Sequence, residues 1–110
     1  MPLLYVDIDG ALPPDMLERI RWTCAVLRWP VSGVRMDRTR RGWHVVVDVR
    51  RRLAPLQIVA AQAVLGSDPR RETFNLQRAT AYDSLPRFWR ARWNVLYDRH
   101  LKPSLGENKQ

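Results

Sequence analysis

The chain opens with a strict alternation of apolar and polar side chains. Leu4, Val6 and Ile8 occupy every second position of residues 3–9, and Asp7 and Asp9 lie on the opposite face. A period of two is typical of a strand with one buried face. We therefore expect a half-buried first strand that displays both aspartates.

A helix is predicted next. Gly10 ends the alternation, and Pro13-Pro14-Asp15 is a favourable helix start, since proline is tolerated in the first turn and an acid suits the positive helix end. The apolar positions then recur at helical spacing, at Leu17, Ile20, Cys24 and Leu27. Pro30 ends the run.

The middle of the chain predicts a hairpin and a second helix. Residues 34–39 and 43–51 alternate around the turn Arg40-Arg41-Gly42. Pro55 then begins an alanine-rich apolar helix that Gly66 ends.

Residues 72–79 alternate again, with Phe74 and Leu76 opposite three polar positions that include Asn75, and are read as a fourth strand. The order β-α-β-β-α-β predicts an α+β fold over residues 1–80, a ferredoxin-like or RRM-like sandwich with a four-stranded antiparallel sheet. In that topology the first and third strands are central neighbours. The second strand lies outside the third, and the fourth outside the first.

The rest of the chain is assigned to one amphipathic helix, rich in arginine and tryptophan and packed on the same domain, over residues 81–102. Its helical pattern covers residues 84–101, and residues 103–110 read as a flexible tail. At 110 residues the chain is one domain. The tryptophans at periodic apolar positions are assigned mostly to the core or to an interface, although they could stack on bases: Trp22, Trp29, Trp43, Trp89 and Trp93.

The net charge of the chain favours one class of binding partner. The net charge is +8, and 19 Lys+Arg stand against 11 Asp+Glu. Nearly all the cations are arginines, whose forks bind phosphate oxygens in pairs, so a phosphate or nucleic-acid partner is favoured. The residues assigned to this contact are Arg35, Arg40, Arg41, Arg50 and Arg52.

Other functional classes are disfavoured. The single cysteine, Cys24, forms no internal disulfide and is assigned to the core. The first residues lack the basic start of a signal peptide, and no apolar run reaches the length of a membrane span. We expect a cytoplasmic protein with no membrane partner. A viral or plasmid origin of its gene is compatible with this expectation.

The predicted topology gathers acidic groups at the centre of this basic chain. Asp9 is expected beside His44 on the third strand, with Asp7 one pair further along and Asp37 on the second strand facing the same side. Aspartates at i and i+2 on one strand can bind Mg²⁺ or Mn²⁺ through oxygen. His44 suits a metal ligand, a phosphate donor or a general acid. The pattern is equally compatible with a strand end, a turn and a surface histidine.

Two motifs carry a family resemblance. LLYVDID resembles the hydrophobic-Asp-x-Asp motif of archaeo-eukaryotic-type primases and primase-polymerases, and RRGWHVVV resembles their small-residue-x-His motif. The resemblance covers residues 3–77. It implies that Asp7 and Asp9 bind the catalytic metals and that His44 contacts the phosphates of the incoming nucleotide.

The family's third motif is a hydrophobic residue followed by aspartate, on a strand beside the first. Phe74-Asn75 stands at the corresponding place, which makes Asn75 a candidate third ligand, with Asp37, Asp83 and Asp98 as substitutes. Family catalytic domains also carry a further module. A homodimer or a replication partner protein is therefore a candidate partner.

Three functions remain open at this stage. The first is metal-dependent nucleotidyl transfer on a DNA template, with catalytic residues Asp7, Asp9 and His44, a nucleoside triphosphate substrate and bound DNA or RNA. The second is a non-catalytic module that binds single-stranded nucleic acid. The third is a small ferredoxin-like, metal-dependent nuclease.

Overall fold

The computed structural model describes residues 2–94. It is an α+β structure built around one antiparallel sheet. The strands are β1 (Leu3–Asp9), β2 (Val31–Arg38) and β3 (Gly42–Val49). The helices are α1 (Met16–Leu27), α2 (Pro55–Val64), α3 (Pro69–Thr80) and α4 (Arg87–Arg90), with a short 3-10 helix over Tyr82–Ser84.

The ends of the first two helices follow the signals in the sequence. Asp15 precedes α1, and Arg28 directly follows it in a left-handed conformation with φ of 59°. Pro55 occupies the first turn of α2, and the Gln57 side chain accepts a 2.9 Å hydrogen bond from the Ala54 N–H. Gly66 follows α2 with φ of +92°, a conformation that glycine adopts without strain.

The sheet has the order β1-β3-β2, as predicted for these three strands. One face packs against α1 and α2 to form the core, in which Cys24 is buried as expected. The core side chains from the strands are Leu4, Val6, Ile8, Val45, Val47 and Val49. The opposite face carries Tyr5, Asp7, His44 and Asp48.

The predicted fourth strand over residues 72–79 is wrong, and the sheet has three strands. This segment belongs to α3, which Asp68 caps by accepting a 3.0 Å hydrogen bond from the Arg70 N–H. The buried positions of α3 are polar or small, whereas Phe74 is exposed. The apolar alternation therefore lies on the outside of a helix whose inner face is polar.

Groups from the α2–α3 region occupy the edge of β1 where the fourth strand was expected. The Tyr5 N–H donates to Gln62 Oε1 (2.8 Å), and its carbonyl accepts from Arg71 Nη1 (3.0 Å). The Asp7 N–H donates to Ser67 Oγ (2.9 Å), and its carbonyl accepts from the Asp68 N–H (2.7 Å). The outward backbone groups of Tyr5 and Asp7 are thus satisfied without a neighbouring strand.

A buried polar network holds this arrangement together. Gln62 Nε2 donates to Glu72 Oε1 (2.8 Å) and to Asn94 Oδ1 (2.9 Å). Arg71 Nη1 donates to the Glu72 carboxylate, and Arg71 Nη2 donates to the Asn94 carbonyl (2.9 Å). The network connects α2, α3 and the end of the described chain to β1.

Only part of the predicted C-terminal helix falls within the described residues. Over residues 84–94 the α-helical part is α4, four residues long, followed by a turn. Trp93 packs in the core, whereas Trp89 is exposed. The predictions for residues 95–110, including Asp98, lie outside the described residues. No helix within residues 2–94 has the length and apolar character needed to cross a membrane.

Candidate functional site

Asp7 and His44 face each other across the two central strands. They are direct partners in the β1–β3 register, and His44 Nε2 lies 3.7 Å from Asp7 Oδ1. Both backbone groups of Asp7 bond outward, to Ser67 and Asp68. The pair is therefore of the non-hydrogen-bonded type, in which opposite side chains come closest.

The register corrects one expectation about this pair. Asp9 was expected beside His44, but it pairs with Gly42, and Asp7 takes the position opposite the histidine. Asp9 lies at the end of β1, next to the hairpin turn. The Gly10 N–H donates to the Arg41 carbonyl there, at 2.7 Å.

An open cleft of about 830 Å³ lies over this end of the sheet. Asp7, Asp9 and His44 all line it. Four arginines from three different segments also line it: Arg19 of α1, Arg40 and Arg41 of the hairpin turn, and Arg70 of α3. The cleft thus combines a small acidic centre with a basic rim.

The environment of Asp7 disfavours the charged form of its carboxyl group. Partial burial raises its pKa, the charges of His44 and Arg71 oppose that shift, and the nearby carboxylates of Asp68 and Asp9 add to it. A bound cation would relieve both the burial cost and the repulsion between carboxylates.

Asp68 is the acidic cleft residue that the sequence analysis missed, and Arg19 and Arg70 are the basic ones. The Asp68 backbone N–H is bonded to the Asp7 carbonyl, and its side chain lines the cleft while capping α3. It thereby brings a third carboxylate to the site from the α2–α3 connection. The signal that could have revealed it is the Asp68-Pro69 pair, a favourable helix start.

Several predicted site residues lie elsewhere. Asn75 is buried in α3 and donates to Glu72 Oε1 (3.2 Å) and Asn94 Oδ1 (3.1 Å), so it belongs to the polar network. Asp37 is opposite His44 in the β2–β3 register, but its carboxylate accepts a 2.7 Å bond from the Arg35 guanidinium. The remaining residues, Asp83, Arg50 and Arg52, are exposed and do not line the cleft, and the two arginines follow the far end of β3.

The carboxylates of the cleft suit a cation that is bound together with the phosphates of a substrate. Within residues 2–94, no three His, Cys, Asp or Glu side chains are grouped so as to hold a metal ion. Mg²⁺ is commonly bound by one or two carboxylates, with substrate phosphates and water completing its coordination. Asp7 and Asp9 can supply those carboxylates from one strand face.

Gly42 is expected to be essential to the shape of the cleft. A Cβ at this position would lie 2.8 Å from the Ile8 carbonyl carbon and 2.9 Å from the Gly10 nitrogen. Because both are backbone atoms, Gly42→Ala should separate the ends of β1 and β3 and destabilise the protein by about 1–3 kcal/mol. Thermal unfolding followed by circular dichroism measures this effect. Gly33→Ala is the matched control, since nothing lies within 4 Å of its added Cβ, and an equal loss in both variants would contradict the steric argument.

Comparison of the chain with protein-family models, with curated proteins and with solved structures gives no match.

Proposed function

We propose that the cleft binds the phosphates of a nucleoside triphosphate together with a divalent cation, and that it catalyses nucleotidyl transfer on a nucleic-acid template. One observation carries this proposal. Asp7 and His44 lie together on the floor of a cleft whose rim supplies four arginines. The primase-like motifs around Asp7 and His44 support the same reaction.

Each group has a role that its position allows. Guanidinium groups of Arg40 and Arg41 bind phosphate oxygens bidentately. His44 would donate a ring N–H to a phosphate oxygen. Asp7 and Asp9 would hold Mg²⁺ or Mn²⁺, which would neutralise charge on the phosphates and polarise the reacting phosphorus. In this reaction the hydroxyl oxygen of the growing strand bonds to the α-phosphorus, and the bond from that phosphorus to the bridging oxygen of the β-phosphate breaks. Pyrophosphate leaves, and the hydroxyl proton passes to water.

The hairpin arginines give the most direct test of substrate binding. Arg40→Ala and Arg41→Ala should each weaken Mg²⁺-nucleotide binding about tenfold or more, because each removes a charge-assisted hydrogen bond of about 1.5–3 kcal/mol. Isothermal titration calorimetry measures the affinity. Arg51→Ala and Arg52→Ala are matched controls that follow the far end of β3, do not line the cleft and lower the net charge equally. A loss of affinity shared by all four variants would indicate general charge attraction and overturn the assignment of the rim.

The reaction itself is tested with a labelled primer on a longer template, the nucleoside triphosphates and either Mg²⁺ or Mn²⁺. The proposal requires metal-dependent lengthening of the primer. Shortening of either strand would assign the cleft to phosphodiester hydrolysis. Absence of both reactions, together with absence of nucleotide binding, would leave the chain a non-catalytic binding module.

A further inference from the structure

Aromatic side chains are exposed on the side of the molecule formed by α3 and α4. Phe74, Phe88 and Trp89 are 59%, 57% and 44% exposed. Phe88 and Trp89 meet edge to face, with ring centroids 5.7 Å apart. Rings that present this much surface to water are available to a ligand.

Arginines lie over these rings at cation–π distances. The Arg92 guanidinium carbon lies 3.9 Å from the Phe88 ring centroid, and that of Arg78 lies 5.9 Å from the Trp89 centroid. Phe74 and Arg78 are four residues apart on α3 and therefore share one side of the helix. These five residues, Phe74, Arg78, Phe88, Trp89 and Arg92, form a continuous surface that we call the aromatic–arginine patch.

The charge around the patch is predominantly positive. Residues 74–94 contain one acid, Asp83, and four arginines. Two of the arginines belong to the patch, and the other two, Arg87 and Arg90, flank the two adjacent rings. A ligand that fits must offer flat π surfaces and negative charge at short, regular intervals. Unpaired bases on a phosphate backbone have both properties, because bases stack on aromatic rings and arginine binds the phosphates.

We propose that the aromatic–arginine patch binds single-stranded nucleic acid by stacking unpaired bases on Phe88 and Trp89. The Arg78 guanidinium can turn to a phosphate, and Arg92, whose Nη1 donates to the Phe88 carbonyl (3.1 Å), can offer its other nitrogens. A purely apolar protein surface would instead have to cover the guanidinium groups of Arg78 and Arg92 without a counter-charge, which is costly.

The patch is connected to the cleft through α3. Arg70 lines the cleft, and Arg78 lies eight residues further along the helix, which is about 12 Å at 1.5 Å per residue. A strand held on the patch would therefore lie within a few nucleotides of the cleft. The proposed binding needs no metal and does not depend on the function proposed for the cleft.

Fluorescence anisotropy of a labelled oligothymidine, measured with the full chain in EDTA, tests this binding. The double variant Phe88→Leu/Trp89→Leu keeps apolar side chains but removes both π faces. We expect it to weaken binding about tenfold or more, as loss of base stacking does. Trp22→Leu is the matched control, because Trp22 is 69% exposed on α1, outside the patch. Its affinity should equal that of the wild type.

Two further measurements complete the test. Arg78→Gln should lower the dependence of log affinity on log salt by roughly one phosphate contact. Duplex DNA should bind more weakly than the single strand, since its bases are not free to stack.

A leucine double variant that folds normally and binds like the wild type would overturn the proposal, as would equal affinity for duplex and single strand. If the double variant fails to fold, Arg78→Gln decides the test, and a salt dependence equal to that of the wild type would overturn the proposal. Asp7→Asn should retain binding of the single strand. Failure of the reaction proposed for the cleft is therefore distinguishable from failure of the patch to bind.

Discussion

Glu72→Ala is expected to lower the free energy of unfolding by about 3–5 kcal/mol, the cost typical of removing one partner from a buried ion pair. For a domain of this size, each kcal/mol corresponds to a fall of about 4–8 °C in Tm. Thermal and urea unfolding followed by circular dichroism measure the loss. No alanine substitution of an exposed side chain in the described residues should approach it.

The size of this effect follows from the number of groups that meet at one carboxylate. The Glu72 oxygens accept from Arg71, from Gln62 Nε2 at 2.8 Å and from Asn75 Nδ2 at 3.2 Å. Alanine removes this acceptor while the donors remain at buried positions, and a donor left in that state costs more than the hydrogen bond itself contributes. Burial already lowers the Arg71 pKa, and the charge of Glu72 is the main influence that opposes this shift.

Two variants isolate the cause. Glu18→Ala removes an exposed acid from the first turn of α1 and should change stability by no more than about 0.5 kcal/mol. Glu72→Gln keeps an acceptor oxygen but removes the charge, so its loss should lie between the other two. If Glu72→Ala unfolds at the wild-type temperature, the network does not hold α3 against β1.

The second large effect is expected at Asp7. Asp7→Asn should reduce nucleotidyl transfer at least about 100-fold, in the range found when one preorganised electrostatic group is removed from an active site. The neutral amide has the shape of the carboxylate, but it cannot balance the charge of a divalent cation. Primer extension at saturating nucleotide measures the loss. Asp48→Asn, on the same sheet face but outside the cleft, is the matched control and should retain activity.

The same substitution should make the protein more stable at neutral pH. Burial raises the Asp7 pKa above its usual value of 3.8, so the folded state binds the proton more tightly than the unfolded state does. The wild type therefore loses stability as the pH rises from the unfolded pKa through the folded pKa, whereas Asp7→Asn does not. The Tm of the variant should exceed that of the wild type at pH 7, and the gap should close below the unfolded pKa. A lower Tm at pH 7 would contradict this account of the Asp7 environment.

Local sequence signals predicted much of the fold. The alternation in β1, the turn at Arg40-Arg41-Gly42 and the proline at the start of α2 each reflect interactions between near neighbours in sequence. The strand order β1-β3-β2 followed from topology rules and was confirmed. Asp7, Asp9 and His44 were consequently placed on one face at one end of the sheet, where the structure has them.

The α3 region could not be derived from hydrophobic periodicity. That method assumes that apolar side chains face inward, whereas α3 buries Glu72 and Asn75 and exposes Phe74. Such an inner face is stable because Gln62 and Asn94, distant in sequence, supply its hydrogen-bond partners. The same error moved Asn75 into the predicted site and left Asp68 out of it.

The side-chain bonds along the β1 edge also bear on self-association. Stacking of copies into a continuous sheet requires two open edges on every molecule. Within residues 2–94, Tyr5 and Asp7 of β1 have their outward backbone groups engaged, which leaves β2 as the edge able to add a strand. That edge has a register shift between Val31 and Gly33. Edge-to-edge pairing through the described sheet would therefore end at two copies and could not propagate into a fibril.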